Sequence, residues 1–193
     1  MTKVLLTGFE PFGTATSNPS GEIVKQISGD NIVTAVLPVA YTQSAERLLA
    51  LIAEHNPDVV ICLGQAEGRT QISPEKVAIN LDDARLADNE GVLRNDVKIL
   101  EGGPDAYFST LPVKEIVDAI KTAGVPAAIS LSAGAFLCNH VFYVAQNKFA
   151  GTNVRSGFVH VPLMDSQAPE FPGLPTMPLD QMVKAVRTML EVL

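Results

Sequence analysis

The chain has 193 residues and a net charge of −7, and its composition is 47% hydrophobic and 18% charged. These values are typical of one compact globular domain, which we expect to span residues 1–193. Lysine and arginine residues are scattered, so the sequence argues against a nucleic-acid partner. No apolar run approaches the roughly 18 residues that cross a membrane, and the first apolar run is too short for a signal peptide.

The chain contains two cysteines, Cys62 and Cys138. Two are too few for a disulfide scaffold, and they suit a reducing compartment. We therefore expect a soluble, cytoplasmic protein that does not associate with a membrane.

Apolar strands alternate with amphipathic helices along the chain. The predicted strands lie at 3–7, 31–39, 59–63, 76–81, 127–131 and 157–161, and the predicted helices begin at 18–19, 42, 113, shortly after 134, and 179. This alternation predicts a three-layer α/β/α sandwich around a mostly parallel or mixed twisted sheet. The section from 82 to 111 has little periodicity, and connections of that length are usually functional coverings or oligomer contacts.

A glycine-bounded loop, Gly8 to Gly13, follows the first strand. It matches the outer glycines of a phosphate-binding loop, but Thr14 stands in place of the lysine and Pro11 removes a backbone donor. What remains is a pair of aromatic residues, Phe9 and Phe12, which are either core residues or the lining of a pocket for a flat apolar ligand.

Cys138 follows the small residues 132–134 and lies near the first turn of a predicted helix. The partial positive charge at a helix N-terminus favours the thiolate, which is the form that attacks carbonyl carbon. The alternative is an ordinary buried cysteine, since free cysteine is among the most buried residue types.

A nucleophilic thiol needs a base, and the chain has three histidines. His140 lies two positions after Cys138, and residues two apart on a helix point about 200° apart. His55 ends a surface helix far away in sequence. His160 lies at the carboxyl end of a predicted strand, where ligands bind in open α/β sheets, although a satisfied core histidine is the alternative.

A third group should orient the imidazole. Spacing does not choose among the available carboxylates. The candidates are Glu10, Glu67, Glu75, Asp82, Asp83 and Asp88.

Several blocks of sequence, in order along nearly the whole chain, resemble pyroglutamyl peptidase I, the pyrrolidone-carboxylate peptidase family of cysteine peptidases. They are Thr7-Gly8-Phe9-Glu10-Pro11-Phe12-Gly13 with Asn18-Pro19-Ser20, Gly64-Gln65-Ala66 through Arg69, Pro74-Glu75-Lys76-Val77-Ala78-Ile79-Asn80, Ala84-Arg85 to Asp88-Asn89-Glu90-Gly91, Ser132-Ala133-Gly134 with Cys138-Asn139-His140 and Phe142-Tyr143, and Gly157-Phe158-Val159-His160-Val161-Pro162.

The resemblance implies a cysteine exopeptidase that removes N-terminal pyroglutamate from peptides through a thioester. It implies Cys138 as nucleophile, His160 as general base and then acid, and Glu75 as the orienting carboxylate. It further implies a cytosolic enzyme, often a homotetramer, that needs no metal or other cofactor. The residues implied around the pyrrolidone ring are Phe9, Phe12 and Phe136, with Asn18 and Gln65 as polar contacts.

The chain departs from the family pattern at a few positions. Lys76 replaces a usual arginine, Glu67 a common glycine and Ala135 a frequent threonine, and the segment from Ala150 to Gly157 is about two residues short. Two other functions use the same residues. One is a thiol amidase acting on a small amide such as glutamine, although three phenylalanines suit an uncharged ring better. The other is a binding module without catalysis.

Overall fold

The computed structural model describes residues 2–193, which form nine strands and five α-helices within that range. The strands are β1 (Val4–Phe9), β2 (Ile32–Leu37), β3 (Val59–Gln65), β4 (Ser73–Pro74), β5 (Val77–Ile79), β6 (Ala106–Phe108), β7 (Arg155–Val161), β8 (Leu163–Met164) and β9 (Thr176–Met177). The helices are α1 (Pro19–Val24), α2 (Tyr41–His55), α3 (Val113–Thr122), α4 (Leu137–Phe149) and α5 (Leu179–Glu191). A 3₁₀ turn spans Asp165–Gln167.

Five strands form the main sheet in the order β2-β1-β3-β7-β4. The first four are parallel, and β4 joins one edge antiparallel to β7. The chain reverses its direction of travel across the sheet between β1 and β3. Such a reversal leaves a crevice outside the carboxyl ends of the two strands, which are Phe9 and Gln65.

Helices cover both faces of this sheet. One face packs against α1, α3 and α5, and the other packs against α2 and α4. β3 is buried along its whole length, because each face of this central strand meets a layer of helices. The predicted three-layer α/β/α architecture is therefore confirmed.

Two predicted strands differ from the structure. The strand predicted at 76–81 is the three-residue β5, which pairs with β6 outside the main sheet. The buried strand predicted at 127–131 is wrong. That segment runs parallel to residues 72–76 through backbone hydrogen bonds and bridges at Ala127 and Ser130, but it does not form a regular buried strand. Ile129 is 41% and Leu131 73% exposed, so half of this apolar run faces outward.

None of the helices within residues 2–193 is long and apolar enough to cross a membrane.

Candidate active site

Cys138 occupies the second position of α4. Gly134 turns the chain just before the helix with a φ of 75°, a conformation that glycine adopts readily. No side chain caps this helix N-terminus. Backbone N–H groups of the first turn have no carbonyl within the helix to bond, so they are placed to bind an anionic oxygen near the thiol.

The sulfur of Cys138 lies against the end of β3. A Cβ atom added at Gly64 would be 2.8 Å from Cys138 Sγ and 2.7 Å from the Phe158 ring. Only glycine leaves room for the thiol at this point of the strand. Gly64 is also the register partner of His160 on the neighbouring strand β7. The thiol and the imidazole therefore lie at the same end of two adjacent strands.

His160 and Glu75 form a hydrogen-bonded pair. His160 Nδ1 lies 2.7 Å from Glu75 Oε1. The carboxylate can only accept, so Nδ1 carries the proton and Nε2 has a free lone pair. β4 places Glu75 here, because Ser73 pairs with His160 and the Glu75 N–H donates to the Phe158 carbonyl. Residue spacing left the orienting carboxylate open because this short antiparallel pairing has no signature in the sequence, and Glu75 was predicted only from the family resemblance.

A cation accompanies this buried carboxylate. Arg69 Nη2 lies 3.0 Å from Glu75 Oε1 and donates to the carbonyl of Ser132 at 3.1 Å. Glu75 is completely buried, so a neighbouring charge is needed to offset its desolvation. Its second oxygen, Oε2, has no hydrogen-bond partner among residues 2–193. Sequence reasoning gave Arg69 no role beyond its place in the family-like block.

The pKa shifts of Cys138 and His160 favour a neutral thiol beside a neutral imidazole. Burial, with the Glu75 charge as the next cause, raises the pKa of the Cys138 thiol to about 12. Burial also lowers the pKa of His160 below its usual value, and the hydrogen bond to Glu75 opposes this shift. Burial therefore opposes the thiolate that the helix N-terminus favours, and the neutral thiol is the expected form in the unliganded site.

A narrow apolar pocket adjoins the sulfur. It is lined by Phe9, Phe12, Asn18, Val39, Gln65, Phe136, Leu137 and Cys138. All five side chains predicted to contact a ring thus meet here. Val39 and Leu137 were not predicted, because an apolar residue in an ordinary run carries no signal of a ligand.

The two predicted polar contacts differ in their free hydrogen-bonding capacity. Asn18 caps α1: its Oδ1 accepts from the Ser20 N–H and hydroxyl, and its Nδ2 donates to the Glu10 carbonyl. The Oε1 of Gln65 accepts from Gln167, whereas its buried Nε2 has no partner within residues 2–193. Gln65 therefore lines the pocket and carries a buried donor without a partner in the described part of the chain.

A wider, open groove adjoins the apolar pocket and is also lined by Cys138. It shares Phe12, Gln65, Phe136 and Cys138 with the apolar pocket. His160 lines this groove, together with the exposed residues Glu67, Asp83, Arg85 and Leu86. Cys138 therefore lines two cavities of different character, and His160 lines only the wider one.

The remaining candidate carboxylates bind elsewhere. Glu10 accepts from the Val39 N–H and from Asn89. Asp88 accepts from three backbone N–H groups, those of Tyr41, Glu90 and Val92. Glu67 and Asp83 are exposed in the open groove. Asp82 pairs with His140, whose Nδ1 lies 2.9 Å from Asp82 Oδ2.

Comparisons with known proteins identify the family of the chain. The family model described as pyroglutamyl peptidase matches residues 2–193. The chain is 46% identical to a pyrrolidone-carboxylate peptidase of Aliivibrio fischeri over 191 residues, which is 96% of this chain and 90% of that protein. It is 48% identical to one from Cupriavidus pinatubonensis, over 97% of this chain and 90% of that one.

Solved structures resemble this fold closely. Pyroglutamyl peptidase I of Bacillus amyloliquefaciens superimposes with a TM-score of 0.94 at 43% identity, over 98% of this chain and 95% of that one. A mutant pyrrolidone carboxyl peptidase of the hyperthermophile Pyrococcus furiosus gives a TM-score of 0.93 at 41% identity, over 98% and 97%. With a full-length family match and relatives of this identity, the chain belongs to the pyroglutamyl peptidase family, whose members are cysteine peptidases.

Proposed function

We propose that Cys138, His160 and Glu75 form the catalytic triad with which this chain removes pyroglutamate from peptide N-termini. The observation that carries the proposal is that Cys138 lines both an apolar, aromatic pocket and an adjoining groove that contains His160. The pocket suits an uncharged ring, and the groove suits the peptide that leaves. One domain, residues 1–193, would carry the whole site.

The neutral resting pair defines the first step. His160 Nε2 accepts the proton of the Cys138 thiol as the sulfur attacks the carbonyl carbon after the ring. Negative charge then develops on the carbonyl oxygen, and backbone N–H groups at the start of α4 stabilise it. Glu75 holds the imidazole in the required tautomer and stabilises the imidazolium that forms.

The second step releases the peptide. The amide C–N bond breaks, and the imidazolium donates its proton to the leaving amine, which lies on the groove side because His160 does. A thioester to Cys138 remains. Water, deprotonated by His160, attacks the thioester carbonyl, and pyroglutamate leaves as the sulfur regains its proton.

Specificity follows from the unpaired donor of Gln65. The aromatic pocket excludes a charged amine, since burying an unpaired ammonium is costly. The Nε2 of Gln65 would donate to the ring carbonyl of pyroglutamate. A prolyl ring lacks this carbonyl and would leave the buried donor unpaired, which is the kind of difference that gives strong discrimination.

Hydrolysis of a pyroglutamyl fluorogenic amide tests the assignment. The wild-type chain should turn the amide over, Cys138→Ser should abolish turnover, and Cys62→Ala should retain it, since Cys62 is buried away from both cavities. Full activity of Cys138→Ser would show that another group is the nucleophile. Preference for glutamine over the pyroglutamyl amide would favour the thiol amidase instead.

We also propose that the chain acts in the cytoplasm as a homo-oligomer, with a tetramer as the expected state. The section from 82 to 111 supports self-association because it exposes several large apolar side chains, as contact surfaces do. They are Leu86, Val92, Leu93, Val97, Leu100 and Phe108. Light scattering after size exclusion measures the state directly, and a monomeric wild type would refute it.

A further inference from the structure

Gln167 is a completely buried polar residue in the 3₁₀ turn Asp165–Gln167, far from Gln65 in sequence. Its side chain lies between the backbone of Met164, the backbone of Ser17 and the Gln65 amide. We propose that Gln167 is a positioning residue that orients the Gln65 amide so that a donor, and not an acceptor, faces the ring pocket. This inference rests on the proposed function only for the identity of the ring.

Two backbone groups fix the orientation of Gln167. The Met164 N–H can only donate, and it donates to Gln167 Oε1 at 3.0 Å. The Ser17 carbonyl can only accept, and it accepts from Gln167 Nε2 at 3.1 Å. A flipped Gln167 amide would oppose donor to donor and acceptor to acceptor at two buried positions. The backbone therefore permits a single orientation of this side chain.

The fixed amide of Gln167 in turn orients the amide of Gln65. The second N–H of Gln167 Nε2 donates to Gln65 Oε1 at 2.9 Å. Flipping Gln65 would place two N–H groups against each other. The Oε1 of Gln65 is thus held toward Gln167, and its Nε2 has no partner within residues 2–193, while Gln65 lines the pocket together with Phe9, Phe12 and Cys138.

The chemical consequence is a pocket that recognises a carbonyl group. A ligand with a ring carbonyl, such as a lactam, satisfies the unpaired Nε2 of Gln65. If Gln65 were free to flip, the pocket would also present an acceptor, and its preference for the lactam would fall. The proline-rich segment after β7, which shows no chemical motif, would then determine specificity through one amide.

The test uses lactam binding, which does not require turnover. 2-Pyrrolidone should protect Cys138 of the wild-type chain from alkylation by iodoacetamide, because the ring fills the pocket beside the sulfur. In Gln167→Glu the carboxylate can only accept, so Gln65 should turn its Nε2 toward residue 167 and its Oε1 toward the pocket. Half-protection should then need about tenfold more 2-pyrrolidone, the loss expected when a buried acceptor meets an acceptor.

Four controls make the result decisive. The rate of alkylation without 2-pyrrolidone should be unchanged, and Gln181→Glu, a substitution on the exposed side of α5, should behave as wild type. Gln65→Leu should weaken protection to a similar extent. Adding Gln167→Glu to Gln65→Leu should then have no further effect, because Gln167 acts only through Gln65.

Steady-state kinetics provide a second reading. Gln167→Glu should raise KM for the pyroglutamyl amide about tenfold and leave kcat within a few-fold, since the triad is untouched.

If thermal unfolding shows that Gln167→Glu is not folded, Gln167→Met removes the same polarity without a buried charge and should raise the 2-pyrrolidone requirement severalfold. Wild-type protection in a folded Gln167 variant, or additive losses in the double variant, would overturn the inference. A wild-type chain that binds 2-pyrrolidone but does not hydrolyse the amide would refute only the proposed function.

Discussion

The molecule contains two clusters of the same three groups: a histidine, a buried carboxylate and an arginine. In the first, Glu75 Oε1 lies 2.7 Å from His160 Nδ1 and 3.0 Å from Arg69. In the second, Asp82 Oδ2 lies 2.9 Å from His140 Nδ1 and 2.6 Å from Arg94. Both carboxylates are fully buried, and within residues 2–193 each keeps one oxygen without a partner.

The surroundings of the two imidazoles differ. His160 lines the open groove beside Cys138. His140 packs edge-on against the ring of Tyr41, at 5.3 Å between centroids, and the Arg94 guanidinium lies 4.3 Å over the same ring. A hydrogen-bonded carboxylate is therefore not what makes a histidine a base. Access to the thiol and to a cavity is what separates the two clusters, and the second cluster is suited to hold the 82–97 section against α2 and α4.

The largest expected effect on the catalytic rate distinguishes His160 from His140. His160→Asn should lower kcat for the pyroglutamyl amide by about four orders of magnitude or more, because no group remains to accept the thiol proton. His140→Asn should keep kcat within about threefold, since His140 lines neither of the two cavities at Cys138. Steady-state rates of the two purified variants check this. Comparable losses in both would mean that the two clusters act as one site.

The next largest effect on the catalytic rate distinguishes Glu75 from Asp82. Glu75→Gln should lower kcat by about two to four orders of magnitude with little change in KM, because it removes the charge that stabilises the imidazolium. The new amide nitrogen can occupy the position of the unpartnered Oε2, so the fold should be kept.

Asp82→Asn is the matched control for Glu75→Gln. It should leave kcat within about threefold but lower the free energy of unfolding by about 1–3 kcal/mol, since hydrogen bonds to a charged group are lost. Denaturant unfolding followed by circular dichroism measures the stability. If Asp82→Asn loses its catalytic rate while Glu75→Gln keeps it, the orienting carboxylate is Asp82.

Periodicity predicted the layers of this fold, whereas residue spacing left the orienting carboxylate open and only the family resemblance implied Glu75. Buried strands such as β3 and helices such as α3 have periodicities that follow directly from burial, so their positions were predictable. The run at 127–131 has the same composition as a buried strand, yet Leu131 is exposed. Composition alone does not distinguish a core strand from a surface segment. Likewise, Glu75 meets His160 only because the two-residue β4 pairs with β7.

The pKa of the Cys138 thiol could likewise not be predicted from the sequence. A position at a helix N-terminus is readable from the sequence and predicts a lowered pKa. The extent of burial is not readable from it, and burial raises the pKa of Cys138 to about 12 instead. Gln167 was missed for a similar reason, since nothing in the sequence places it beside Gln65.

A smaller effect, on kcat/KM, distinguishes Arg69 from Arg94. Arg69→Gln should lower kcat/KM roughly tenfold, or about 1.4 kcal/mol, because Glu75 would lose its neighbouring cation and hold His160 less firmly. Arg94→Gln should leave kcat/KM nearly unchanged and lower the free energy of unfolding. The two guanidinium groups are similarly exposed, at 26% and 25%, so the variants are matched in burial. An equal loss of rate in both would remove the distinction between the clusters.

The smallest expected effect is a displacement of the acid limb of the pH profile. Burial lowers the pKa of His160, and the Arg69 charge adds to this lowering. His160 must be neutral to accept the thiol proton, so kcat/KM should persist below the ordinary histidine pKa of about 6.5 and fall as the pH drops through the lowered value.

Removing the cation in Arg69→Gln raises the pKa of His160, so the imidazole becomes protonated at a higher pH and the acid limb moves to higher pH. Arg94→Gln should leave the limb in place, because Arg94 neighbours His140 and not the base. Profiles of kcat/KM between pH 4 and 8 for the three proteins measure this, and a limb that moves with Arg94 would place His140 in the reaction.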